Sequence, residues 1–251
     1  LEGFGVNQLM FEWLFDYAWD KNATDVDNWI TRYAKTRTKN NDPVAEEAYR
    51  KLVDLIYNKQ IANIGIGSLM QTRPLLTGFK GYQHPNKYDY KALTDILGLM
   101  LSASEESLQS AAYQKDMVVV TKQILDNLMI PLRKKINEAY VNKDTLELDK
   151  QARIFLGVMD DQDRLLATQP EFLLGKWIHN ARQFGNDPAS KAYYEKDARV
   201  LLTTWGNEGN GIIDYASRDL SGLISSYYKA RWEMFFGKLR NSIKNNTPLD
   251  M

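Results

Sequence analysis

The sequence predicts an all-α protein, a single helical domain of about eight or nine helices. Three observations carry that expectation. Apolar residues recur at helical spacing along most of the 251 residues. Aspartate or aspartate–proline stands where several of those stripes begin. No segment alternates apolar and polar side chains over a useful length, and no fixed period repeats.

Taken in order, DVDNWITRYAKTR (residues 25–37) puts Val26, Trp29, Ile30, Tyr33 and Ala34 on one helix face, with Asp25 placed to cap it. Asp42-Pro43 supplies an N-cap and first-turn proline for the next helix. Its Glu46–Arg50 and Glu47–Lys51 pairs stand four apart on the exposed side, while Ala45, Ala48, Leu52, Ile56 and Tyr57 face inward. A third stripe is Leu93, Ile96, Leu97, Met100 and Leu101. A long helical stretch over about residues 104–140 contains Pro131, which predicts a kink or an end near Met129. Another helix spans about residues 144–166. Thr168-Gln-Pro-Glu171 reads as a capping box that starts FLLGKWIHNAR. Asp187-Pro188 repeats the cap-then-proline signal before Tyr194, Ala198, Leu201, Leu202 and Trp205. The last helix carries Leu220, Leu223, Ile224, Tyr227, Arg231, Met234 and Phe235 on one side.

Two segments break the pattern. Residues 63–86, NIGIGSLMQTRPLLTGFKGYQHPN, are rich in glycine and proline, and loops of that length are usually functional or mobile. The second is GNEGNGIID, residues 206–214. No Ser/Thr-rich linker marks a domain boundary.

Composition narrows the function classes. Lys+Arg and Asp+Glu number 32 each, so no net field draws nucleic acid or an anionic membrane. No apolar run approaches the roughly 18 residues of a membrane span. The start has neither a basic region nor a uniformly apolar one, so it does not read as a signal peptide. Because it opens at Leu1 rather than Met, the chain reads as a fragment or processed product. Cysteine is absent, which removes disulfides, thiolate nucleophiles and Cys-based zinc sites.

No cofactor or metal is expected. His84 and His179 lack metal-ligand spacing, and Asp160-Asp161-Asp163 lacks the glycine and terminal glutamate of a calcium loop, which leaves a solvated helix face. GIGSLM and GFKG match no phosphate or dinucleotide fingerprint. Carboxylates beside aromatics are more informative. Sugars offer hydroxyls to charged acceptors and apolar C–H faces to aromatic rings. Trp205, Glu208, Asp214 and Tyr215 supply both around a glycine-rich loop that permits close backbone approach. The alternative is that Trp205 ends a core stripe and the glycines form a helix C-cap and turn.

ARVLLTTWG, the Gly/Asn loop and IIDYASRDLSGLISSYYKARWEMFF together resemble the C-terminal region of the α-N-acetylglucosaminidases, the family 89 glycoside hydrolases. FLLGKWIHNAR and the opening EGFGVNQLMFEWLFDYAW resemble the same family in the same order. The resemblance implies a larger glycosidase with a (β/α)₈ barrel and an all-helical C-terminal domain. Such an enzyme removes terminal non-reducing α-linked N-acetylglucosamine, with retention, from glycans or heparan sulfate-type glycosaminoglycans. Two glutamates about 5–5.5 Å apart would do this chemistry.

The same resemblance implies that residues 1–20 are the tail end of the barrel, with a helix over about residues 6–19, and that residues 21–251 are the helical domain. It makes Glu2 the candidate nucleophile, Asn7 part of the same motif, and Trp205, Tyr215, Ile212 and Asp214 substrate-binding residues. The general acid would lie in barrel sequence outside this chain, so the isolated chain is expected to be inactive. Its partners would be an N-acetylglucosamine-terminated glycan and the barrel of the same polypeptide, in a secreted, periplasmic or lysosomal parent. The rival reading is a stand-alone helical protein-interaction or carbohydrate-binding domain without catalysis.

Overall fold

Aspartate caps start half of the described α-helices, three of them at positions the sequence marks as caps. Asp25, Asp42, Asp89, Asp144 and Asp187 each accept a hydrogen bond from a first-turn backbone N–H. The computed structural model describes residues 8–20, 25–58, 67–79, 88–206 and 215–249. Among these are ten α-helices and no strand: α1 Gln8–Trp19, α2 Val26–Thr38, α3 Pro43–Leu52, α4 Tyr90–Leu101, α5 Glu105–Leu108, α6 Ala111–Val141, α7 Thr145–Leu166, α8 Leu174–Arg182, α9 Pro188–Leu202 and α10 Lys229–Asn245. The all-α expectation holds. The tenth helix is α5, a single turn capped by Ser104 that divides the stretch read as one helix. Pro131 does not end α6, which continues to Val141. A proline forfeits one i→i−4 hydrogen bond there, a loss a long packed helix absorbs. None of the described helices is long and apolar enough to cross a membrane.

The chain divides into two units, Leu1–Ala62 with Tyr88–Ile124, and Asn63–Lys87 with Leu125–Met251. One division falls inside α6, which is why no linker composition marks it.

In the first unit the α2 and α3 stripes meet as read, except that Val26, in the first turn of α2, is exposed, and Ile56 and Tyr57, in a π turn after α3, are only partly buried. Trp29, Ile30, Tyr33, Ala34, Ala45, Ala48 and Leu52 are buried with Leu93, Ile96 and Met100 of α4, whereas Leu101 is exposed. Trp29 stacks on Tyr33, which meets Tyr49 edge-on, and Tyr49 meets Tyr113. One buried carboxylate, Asp116, serves this core by accepting from Arg37 Nε (2.7 Å), Arg37 Nη2 (2.6 Å) and the Tyr49 hydroxyl (2.6 Å). Burial raises the Tyr33 and Tyr49 hydroxyl pKa values, and the Asp116 charge raises them further. The Glu46–Arg50 and Glu47–Lys51 ion pairs form on α3.

The second unit packs α7 against α10 around Phe155, Trp232 and Phe236. Here the sequence-derived face of the last helix needs correction. Residues Ile224–Tyr228 form a π turn ahead of α10. Its i→i+5 bonding adds one residue to the turn and rotates every later helical position about the axis. Leu220, Leu223, Ile224 and Phe235 are buried as expected, but Tyr228, Trp232, Phe236 and Leu239 take the core positions, and Met234 is 70 % exposed.

Other expectations also change. Thr168 forms no capping box; its hydroxyl bonds Leu165 O, and a 3₁₀ turn at Pro170–Phe172 precedes α8. The α9 stripe buries only Ala198 and Leu202, leaving Tyr194 and Leu201 exposed. The Asp160–Asp163 run is not simply solvated. Asp160 pairs with Lys229, and Asp163 Oδ1 accepts from Gly222 N at 2.8 Å and Ser225 N at 3.2 Å, bonding the backbone where the π turn begins. The segment read as a functional or mobile loop is buried at its centre. Leu69, Met70 and Gln71 form a 3₁₀ turn with Leu69 and Met70 fully enclosed. Trp232 Nε1 donates to Met70 O at 2.9 Å.

Candidate functional site

Trp205 owes its position to the way α9 stops. The helix ends at Leu202, and the Thr203 hydroxyl folds back onto Arg199 O at 2.7 Å. Trp205 N then donates to Val200 O at 2.7 Å, closing a wide helix-terminating turn. Left-handed backbone at a helix C-terminus usually falls to glycine; here Trp205 itself holds it, at φ 64°. A bulky L-residue in this conformation is strained, at a cost of about 1–2 kcal/mol. The turn swings the indole off the helix, leaving it 36 % exposed. Trp205 therefore does not continue the core stripe of α9.

Tyr215 meets it from the far side of the glycine-rich loop. The two rings lie 5.0 Å apart between centroids with planes at 57°, and Tyr215 is half-buried. A tilted pair of this kind offers adjoining aromatic faces to an apolar ligand surface, with a phenol as the polar group. Of the residues read as site members, the structure thus brings together Trp205 and Tyr215. Glu2, Asn7, Glu208, Ile212 and Asp214 lie outside the described residues, as does His84. Among the described residues no group of His, Asp and Glu is arranged to hold a metal ion.

The segment after Tyr215 is pinned at three places. Ser217 lies against Gly67, where an added methyl group would come within 3.2 Å of Ser217 Cβ. Asp219 Oδ1 accepts from Gln71 Nε2. Ser221 forms an isolated parallel bridge to Leu173, with Ser221 N to Phe172 O at 2.7 Å and Leu174 N to Ser221 O at 3.0 Å. Gln71, Asp219 and Asp163 were missed from sequence. Their partners stand tens of residues or more away, and pairing across such distances leaves no periodic trace.

Comparison with known proteins matches residues 29–251 to the family described as the alpha-N-acetylglucosaminidase (NAGLU) C-terminal domain. The human alpha-N-acetylglucosaminidase is 28% identical over 251 residues, 98% of this chain but 33% of the human protein. Among solved structures, CpGH89 from Clostridium perfringens with two glutamine-for-glutamate substitutions, in complex with its substrate GlcNAc-alpha-1,4-galactose, superposes with a TM-score of 0.88 at 29% identity. That match covers 98% of this chain and 29% of the other. A family 89 glycoside hydrolase from the same organism in complex with PUGNAc gives 0.85 at 29% identity, over 95% of this chain and 28% of the other. The chain thus spans about a third of the length of the relatives it matches. It belongs to the α-N-acetylglucosaminidase C-terminal domain family of the family 89 glycoside hydrolases.

Proposed function

We propose that this chain supplies the helical wall of the sugar pocket in a retaining α-N-acetylglucosaminidase, which removes terminal non-reducing α-linked N-acetylglucosamine from heparan sulfate-type chains or related glycans. The observation that carries the reading is the Trp205–Tyr215 pair: two half-exposed rings in contact, one held in strained backbone. Strain that the surrounding structure retains is characteristic of functional sites. In this reading the rings take the apolar face of the sugar, and Ile212 and Asp214 complete the wall.

Glu2 is the nucleophile and Asn7 a substrate contact in the same reading. The acid/base glutamate comes from a barrel outside these 251 residues. Residues 1–20 are the tail end of that barrel in the same reading. Helix α1 sets Leu9 into the core of the first unit and leaves Leu14, Phe15, Tyr17 and Trp19 exposed, an apolar face open to the rest of the parent polypeptide.

The test is hydrolysis of an aryl α-N-acetylglucosaminide by the full-length polypeptide that carries this chain, with the product anomer followed by NMR. Retention is expected, with turnover lost in Glu2→Gln and absent from the isolated chain. An inverted product, or full activity in Glu2→Gln, would overturn the assignment.

A further inference from the structure

Gln71 is 1% exposed, and both ends of its side-chain amide are used. Its Oε1 accepts from Ser68 N at 2.9 Å, and its Nε2 donates to Asp219 Oδ1. Its backbone carbonyl accepts from Arg231 Nη2 at 2.7 Å. The turn that carries it is anchored independently by Leu69 and Met70, both fully buried, and by the Trp232 indole on Met70 O. Gly67 closes the other side of the turn at φ 87°, where an added methyl group would lie 2.0 Å from Gln71 Oε1. The Ser68 N–H on one side and Asp219 on the other thus hold the amide across to the segment that begins at Tyr215.

We propose that Gln71 and Asp219 are a positioning pair that sets Tyr215, and through it Trp205, for sugar binding; this rests on the pocket reading above. Ser217 stands two residues beyond Tyr215, at most about 7 Å of chain, so whatever fixes residues 217–219 fixes the phenol within a narrow range. The Gln71 amide is a directional tether. It holds Asp219 by a charge-assisted hydrogen bond that is part-buried on the Asp219 side, where geometry is enforced more strongly than in water. Neither residue touches the sugar in this arrangement. Their effect passes through Tyr215.

The experiment compares Gln71→Glu, Asp219→Asn and the paired variant in the full-length polypeptide carrying this chain. Gln71→Glu keeps the oxygen that receives Ser68 N–H but turns an acceptor toward the Asp219 carboxylate. It is expected to lower kcat/KM near neutral pH by about tenfold, mostly through KM, because small misplacement at a binding site is costly. The paired variant exchanges donor and acceptor while keeping the contact, and should recover most of the activity.

Unchanged kcat/KM per folded molecule in Gln71→Glu would overturn the proposal, as would a paired variant no better than the single one. If Gln71→Glu does not fold, the paired variant decides alone. Trp205→Ala and Tyr215→Phe, measured beside them, separate the two ideas. Should those two leave kcat/KM untouched, the pocket reading fails. Should they lower it while the Gln71 series does not, only the positioning pair fails.

Discussion

Arg37 grips Asp116 through two parallel hydrogen bonds, Nε to Oδ2 at 2.7 Å and Nη2 to Oδ1 at 2.6 Å, inside the aromatic core of the first unit. A third bond from the Tyr49 hydroxyl satisfies the same carboxylate. Removing Asp116 would break the main ion pair of a buried guanidinium and leave it only the Ala112 carbonyl at 2.9 Å and the Glu12 carboxylate at 3.4 Å. Asp116→Ala is therefore expected to cost about 3–5 kcal/mol. Tyr49→Phe, which removes one bond to a charged group, should cost about 1.5–3 kcal/mol. Urea denaturation of both variants checks this; a smaller loss in Asp116→Ala than in Tyr49→Phe would contradict it.

Trp205 and Tyr215 separate pocket from core. A fully buried tryptophan truncated to alanine loses about 3–5 kcal/mol. With 36 % of its surface exposed, Trp205 should lose clearly less. Tyr215→Phe should change stability by about 1 kcal/mol or less. Both should reduce kcat/KM in the full-length polypeptide. Melting temperature and kinetics measured on the same samples give the answer, and unfolding with unchanged activity of the folded fraction would assign both rings to the core.

Trp232 and Met234 offer a test of the π turn. If the helical face ran on from Tyr227 without interruption, Met234 would be inside. With the extra residue at Ile224–Tyr228, Trp232 is inside instead. Trp232→Ala should cost about 3–5 kcal/mol, and Met234→Ala should fall within about 0.5 kcal/mol of wild type, as exposed substitutions do. Thermal melts suffice.

Asp42 should make stability fall in acid. Burial alone would raise its pKa, but hydrogen bonds from the Ser107 hydroxyl, Ser104 N and Ala45 N outweigh that and hold it below the usual aspartate value. A carboxylate with a depressed folded pKa contributes stability that is fully present above the unfolded value of about 3.9 and is lost as pH falls below it. Asp42→Asn should therefore be less stable than wild type at pH 7, with the gap narrowing below about pH 4. Denaturation midpoints across that range measure it, and a gap that widens in acid would count against the cap.

The parts of the fold legible in the sequence are those governed by short-range rules. Caps at Asp25, Asp42 and Asp187 and the stripes on α2, α3 and α4 arise from neighbours three or four residues apart. The π turn was not legible, because one inserted residue shifts every later position without any compositional mark. Residues 68–72 misled for a related reason: glycine and proline announce a break in periodicity, not whether the break is buried. In the site, Trp205 and Tyr215 could be named because a sugar needs aromatic faces. That the indole occupies left-handed backbone could not be read, since the sequence offers Gly206 next door as the ordinary choice. Gln71 and Asp219 stand 148 residues apart, and no local rule joins them.

The 3₁₀ turn at Leu69–Gln71 also bears on the order in which the chain assembles. Its contacts with Asp219, Arg231 and Trp232 close loops of 148, 160 and 162 residues. Loop-closure entropy grows slowly with length, so such contacts are affordable at equilibrium, but topology of this kind slows folding. On a ribosome adding about 5–20 residues per second, roughly 8–30 s pass between synthesis of the turn and synthesis of its partners. Throughout that interval the turn that carries Leu69 and Met70 lacks these three partners. Nascent chains should accordingly hold this short apolar stretch available to chaperones, and the second unit should acquire protease resistance only when α10 has emerged.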